Sequence, residues 1–118
     1  MRKLSDVVRE VRAKRLEEAL RIVRAYLAEL SRQIEVREAY LFGSIARGDS
    51  LDVSDIDLLV VSPSIRGLRK DERIRLAYRA WKFDKAADIF LLTPEEFERA
   101  LEHSVVLRDA RRYWIKVL

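Results

Sequence analysis

The sequence predicts an α/β (α+β) domain in which a small mixed sheet of about three to four strands is covered by helices. Three observations predict it. Apolar residues recur at three-and-four spacing through the first thirty residues, as on one stripe of a helix. Three short apolar runs follow, each closed by Gly, Pro or an N-cap residue, as strands are. The whole chain has 118 residues, enough for one compact domain with a core but too few for a second of any size, so residues 1–118 are taken as one unit.

The elements follow in chain order. Leu4, Val7, Val8, Val11, Leu16, Leu20, Val23, Leu27 and Leu30 mark an N-terminal helical segment over about 4–31, with Ser5 as its expected N-cap. The stripe thins near Arg12 to Arg15, leaving one long helix or two shorter ones open. Glu38-Ala-Tyr-Leu-Phe42 is expected to be a buried strand stopped by Gly43, and Ile45-Ala-Arg-Gly48 has the residues to begin a helix. Asp55-Ile-Asp-Leu-Leu-Val-Val61 is the second strand, ended by Ser62-Pro63. Ile74, Leu76, Ala77, Ala80 and Trp81 predict a helix over about 69–82, and Ala87-Asp-Ile-Phe-Leu-Leu92 the third strand. A helix between these two strands makes parallel pairing natural. Thr93-Pro94-Glu95-Glu96 is a strong helix start, and that helix should reach about His103. The tail from Ser104 to Leu118 fits either a strand at 105–107 or a terminal helix.

Composition narrows the function. There is no cysteine, which excludes disulfides and thiolate-bound zinc, and the single histidine, His103, cannot build a multi-histidine site. Any metal must therefore be held by oxygen. No uncharged stretch approaches the ~20 residues a bilayer requires, and the charged N-terminus lacks a secretory apolar block, so a cytoplasmic location without membrane contact is expected. The absence of asparagine, with one glutamine and one methionine beside abundant Arg and Glu, is compatible with a thermophilic source. The net charge of +4 is uneven: residues 1–37 and 62–118 each carry an excess of four positive charges, whereas residues 38–61 carry an excess of four negative ones. An acidic island attracts divalent cations and basic flanks attract phosphates, although a solvated charged surface has the same composition.

Within that island lie the residues with chemistry. Alternation along a strand sets Asp55 and Asp57 on one face while Ile56 and Leu58 enter the core. Two neighbouring carboxylates repel unless a hard cation such as Mg²⁺ or Mn²⁺ lies between them. Asp88, near the start of the third strand, would join them if that strand lies beside the second, giving the acid set of a two-metal site for phosphoryl or nucleotidyl transfer; a structural acid is the alternative. Gly43 allows a sharp turn and close approach to a ligand, Ser44 offers a hydroxyl, and a phosphate would fit there. Arg47 could add charge to a triphosphate or pair with Asp49 or Asp52.

Gly43-Ser44, ten intervening residues, then Asp55-Ile56-Asp57, with Arg47-Gly48, Ser54 and a later acid, resembles the signature of the DNA polymerase beta-like nucleotidyltransferase superfamily. In so short a chain the resemblance is to the minimal nucleotidyltransferases of prokaryotes, often encoded beside a helical HEPN protein. It extends from the helix before Glu38 to Leu107 and includes Asp88-Ile-Phe-Leu-Leu-Thr-Pro-Glu-Glu-Phe97. The resemblance implies that fold, with Gly43 and Ser44 holding a triphosphate, Asp55 and Asp57 ligating both metals, and Asp88 binding the catalytic metal and helping to deprotonate an acceptor hydroxyl. It implies transfer of a nucleoside monophosphate, from ATP or another NTP, to a hydroxyl such as a tyrosine of a HEPN toxin, the chain acting as antitoxin. Larger relatives carry a further helical domain that grips the acceptor, so here a partner, a homo-oligomer or the basic helices must serve.

Two other readings stand beside it. One is a non-catalytic module that neutralises a partner by occlusion or binds RNA through Arg-rich helices, the other an antibiotic-modifying enzyme on the same core. Eighteen arginines favour the former, but most interleave with Glu at helical spacing, as ion-paired faces do. Nucleic acid is not the favoured partner, and the basic aromatic tail Arg108-Asp-Ala-Arg-Arg-Tyr-Trp114 suits a packed helix or partner surface better.

Overall fold

The computed structural model describes residues 2–49 and 55–118. Its elements are α1 (Leu4–Leu30), β1 (Glu38–Phe42), α2 (Gly43–Arg47), β2 (Ile56–Val61), α3 (Lys70–Arg79), β3 (Ala87–Leu92), α4 (Pro94–His103), α5 (Val105–Arg111) and β4 (Ile115–Lys116), with a 3₁₀ turn at Pro63–Ile65. The strands form one mixed sheet in the order β3-β2-β1-β4. β1 runs antiparallel to both β2 and β4, and β2 runs parallel to β3, as the intervening α3 anticipates.

Strand alternation sorts the side chains into two layers. Ala39, Leu41, Ile56, Leu58, Val60, Ile89 and Leu91 face α1 and α3, where Ala19, Val23, Tyr26, Leu27, Leu30 and Ala77 close the main core. Tyr40, Leu59 and Val61 face the other way, toward Phe97 of α4 and the partly buried Leu107 and Trp114. α1 is one continuous helix, so the thin stretch at Arg12 to Arg15 does not break it. Its first turns leave Leu4, Val7 and Val11 exposed, and burial begins only farther along, where the helix crosses the sheet.

Two expectations are corrected in detail, and two alternatives left open are resolved. Ser5 is not the N-cap: Lys3 is, without a side-chain cap, and Ser5 lies inside the first turn. β2 begins at Ile56, one residue later than expected, so Asp55 precedes the strand. Residues 105–107 open a helix, because the Ser104 hydroxyl accepts from Leu107 N–H at 3.2 Å and Val105 and Val106 have no core to enter. A fourth strand, β4, completes the sheet against Tyr40 and Leu41. The Thr93 start is as expected, with its hydroxyl accepting from Glu96 N–H at 3.1 Å while Glu96 accepts from Thr93 N–H at 2.8 Å.

Leu58 lies in an inner strand and is fully buried. Leu58→Ala should lower unfolding free energy by about 3 kcal/mol, measured by urea denaturation.

Candidate active site

The site forms where β1 ends and β2 and β3 begin. Phe42 of β1 pairs with Asp57 of β2, and Asp57 is in register with Asp88 of β3, giving a lateral row across three strands. Asp57 shares the face of Leu59 and Val61, opposite the fully buried Ile56 and Leu58. Asp57 is half-buried, whereas Asp55 and Asp88 are exposed. Burial first, then the charges of Asp88 and Asp55, pushes the Asp57 carboxyl up from its ordinary value of 3.8, with Arg47 opposing. The three acids thus form one electrostatic neighbourhood centred on Asp57.

The turn after β1 is built around that carboxylate. Gly43 begins α2 itself, rather than merely preceding a helix at Ile45, and has φ +79°. A Cβ there would overlap the Asp57 carboxylate, lying 2.9 Å from its Cγ, so side-chain space and backbone conformation both require glycine. Ser44 occupies the first turn of α2, its carbonyl accepting from Gly48 N–H at 3.0 Å. Gly48, at φ +80°, ends the helix in the left-handed conformation. Arg47 Nε donates to Asp49 Oδ2 at 3.2 Å, taking up one of the two in-chain partners open to it. Its other candidate, Asp52, and the motif residue Ser54 lie outside the described residues.

Oxygen donors and concentrated negative charge fit a hard divalent cation. A ready-made three-ligand cage is another matter. Among the described residues no group of three Asp, Glu, His or Cys side chains is close enough to hold an ion, so the expected convergence of three carboxylates stops at electrostatic proximity.

Sequence reasoning missed the apolar surroundings of the acids. A hollow of about 190 Å³ lies on the same sheet face, lined by Phe42, Leu59, Phe90 and Leu92 with Val106 and Leu107 of α5. Phe42 and Phe90, with ring centroids 6.0 Å apart, bridge from the acid row to this hollow. A larger groove of about 650 Å³ runs along α1 past Val8, Arg12 and Leu16 but meets the acid-bearing end only at Gly48.

A model described as a nucleotidyltransferase domain matches residues 20–114, and the chain belongs to that family. It is similar to a Methanocaldococcus jannaschii protein provisionally named a protein adenylyltransferase, with 41% identity over 49 residues, 42% of this chain. That match spans 57% of the relative's length. Among solved structures, a provisionally assigned nucleotidyltransferase from Sulfolobus solfataricus superposes with a TM-score of 0.65 at 29% identity, covering 75% of this chain and 79% of the other. A toxin–antitoxin crystallised with AMP-PNP superposes with a TM-score of 0.54, covering 79% of this chain and 70% of that one; at 24% identity this likeness shows the fold.

Two expectations follow. Gly43→Ala should destabilise the protein by about 1–2 kcal/mol through its left-handed φ and displace Asp57, which urea denaturation and the Asp57 side-chain signals in NMR would report. A carboxyl whose pKa is raised by folding favours the fold below its unfolded pKa and loses that contribution as pH rises through the folded value. Asp57→Asn should therefore melt higher than wild type at pH 7 in chelator, the difference closing toward pH 3.8, the ordinary value of the group. Thermal scans across that range would check it.

Proposed function

We propose that the protein is a metal-dependent nucleotidyltransferase that moves a nucleoside monophosphate, AMP from ATP, to a hydroxyl on a protein partner. The observation that carries this reading is the register of Asp57 with Asp88 across β2 and β3, set against the glycine that opens α2. Membership of the nucleotidyltransferase domain family supports it. Gly43 and Ser44 receive the triphosphate, and Gly43, lacking a Cβ, lets the Asp57 carboxylate sit directly against this turn. Arg47 adds positive charge at the same turn, while its Nε remains oriented by Asp49.

Asp55, Asp57 and Asp88 would hold Mg²⁺ or Mn²⁺, which when bound supplies charge neutralisation for the phosphates. Asp88 accepts the proton of the acceptor hydroxyl. The acceptor oxygen then bonds to the α-phosphorus, the bond from that phosphorus to the β-phosphate oxygen breaks, and pyrophosphate leaves. Positioning and electrostatics provide most of the rate. The apolar hollow beside the acids suits the non-polar part of an acceptor better than a base that must be read by hydrogen bonds.

The partner we assign is a helical HEPN-type toxin, with this chain as antitoxin. The family resemblance supports this, as does the fold shared with a toxin–antitoxin crystallised with AMP-PNP.

The test is transfer from α-labelled ATP with Mg²⁺, for the protein alone and with the product of the neighbouring gene. Label should pass to the partner and fall at least about a hundredfold in Asp57→Asn, which keeps the side-chain shape and removes a metal-binding charge. Undiminished transfer by that variant overturns the mechanism. Neutralisation of the partner by Asp57→Asn as effective as by wild type would instead assign the activity to occlusion.

A further inference from the structure

Among the described residues β3 is the outer strand of the sheet, and on one side its backbone has no neighbouring strand. Asp88 stands on this strand with an exposed carboxylate, and its backbone position rests on pairing with β2 and on whatever occupies the free edge. The occupant at this point is one side chain. The Tyr78 hydroxyl on α3 donates to the Ala87 carbonyl at 2.9 Å and accepts from Ile89 N–H at 3.1 Å. One oxygen thereby ties the two peptide groups on either side of Asp88. Farther along the same edge Arg73 Nη1 reaches the Leu91 carbonyl at 3.4 Å while it grips Glu96 at 2.8 and 3.0 Å.

From this bracket we infer that Tyr78 is a positioning residue for Asp88, holding the edge backbone so that the carboxylate stays level with Asp57. The inference rests on the reading of Asp55, Asp57 and Asp88 as metal-holding acids. Chemistry of that kind is sensitive to displacements of about 1 Å, whereas an edge strand without a lateral partner frays readily. A hydroxyl that accepts and donates at once suits the task, because an outer strand presents one N–H and one C=O in alternation on its free side. Tyr78 itself need touch neither nucleotide nor acceptor.

Tyr78→Phe removes the bracket and keeps the ring. Tyr26→Phe is the comparison: its hydroxyl donates to the Ala77 carbonyl on the same helix at 2.8 Å and does not reach β3. Three readouts apply to each: hydrogen exchange at the Ile89 amide, Mn²⁺ titration of ¹⁵N-labelled protein followed by broadening of the amide signals of residues 55–58 and 87–89, and kcat with KM for ATP in the transfer assay. In Tyr78→Phe the Ile89 amide should exchange faster, the Mn²⁺ midpoint should rise about tenfold and kcat should fall about tenfold, with KM for ATP within about twofold. Tyr26→Phe should lower thermal stability and leave the Mn²⁺ midpoint and kcat unchanged. If Tyr78→Phe exchanges Ile89 faster yet keeps the wild-type Mn²⁺ midpoint and kcat, or if both variants lose them equally, the positioning role is overturned while the reading of the site stands. Absence of Mn²⁺ broadening in wild type would overturn that reading and the role together.

Discussion

Everything in the site depends on parallel pairing of β2 with β3 in a register that sets Asp57 beside Asp88. A slip of one residue would bring Asp57 level with Ala87 or Ile89 and turn Asp88 toward the main core, because side-chain direction alternates with period two. Neither strand can hold that register through the acids, which repel each other. Apolar residues hold it instead. Leu58, Val60, Ile89 and Leu91 on one face interlock with α1 and α3, and the Tyr26 hydroxyl adds a hydrogen bond to the Ala77 carbonyl of the crossover helix. Tyr26 also packs edge-on against Trp81, with ring centroids 5.1 Å apart, just past the end of α3. The apolar packing beneath the crossover therefore sets the register in which two carboxylates come level on the far side of the sheet.

The same arrangement works against stability at its functional end. Asp57 is half-buried among like charges, and Gly43 adopts a left-handed conformation so that the chain can pass close to it. A sequence selected only for folding would place an apolar residue at position 57, in line with Leu59 and Val61. Tolerance of the charge follows from its location at the start of the strand, where the sheet face opens to solvent, while deeper rows on that face are covered by Phe97 and Trp114. The local conflict is confined to one row, and the two rows beneath it carry the packing.

Much of this was legible in the residues. The apolar runs, the Thr93-Pro94 start and the helix between the second and third strands were enough to derive the parallel pair and the alternation that separates Asp57 from Ile56 and Leu58. Spacing from Gly43-Ser44 to Asp55 and Asp57 carried the family, since a turn glycine and strand acids leave a local pattern. Features made by distant parts of the chain left no such pattern. β4 is two residues long and exists only through pairing with Tyr40 and Leu41. The Phe42–Phe90 contact joins strands on opposite sides of β2, and Tyr78 reaches β3 from a helical position whose spacing did not mark it as core. Val105 and Val106 left strand and helix both open: they favour a strand by composition, and the Ser104 cap, formed with Leu107 N–H, goes with the helix.

Charge shows most clearly how sequence and structure differ in what they say about partners. An excess of arginine suggests a surface for polyanions until the partners of each guanidinium are known. Arg73 is bound to Glu96, Arg66 to Glu95, Arg75 to Asp71, and Arg69 to Asp71 and Glu72, so the basic stretch after β2 is paired largely within the fold. Glu95, beside Arg66, is held down to about 2, as expected of a carboxylate that stays ionised against its guanidinium. At the strand starts the opposite holds, where Asp55, Asp57 and Asp88 face one another with Arg47 as their opposing charge. Among the described residues the positive charge of the stretch after β2 is thus largely paired, whereas three carboxylates at one end of the sheet share Arg47 as their opposing charge. The electrostatic demand of this molecule is consequently for a cation and the phosphates it accompanies, located at that end, more than for a polyanion along that paired basic stretch.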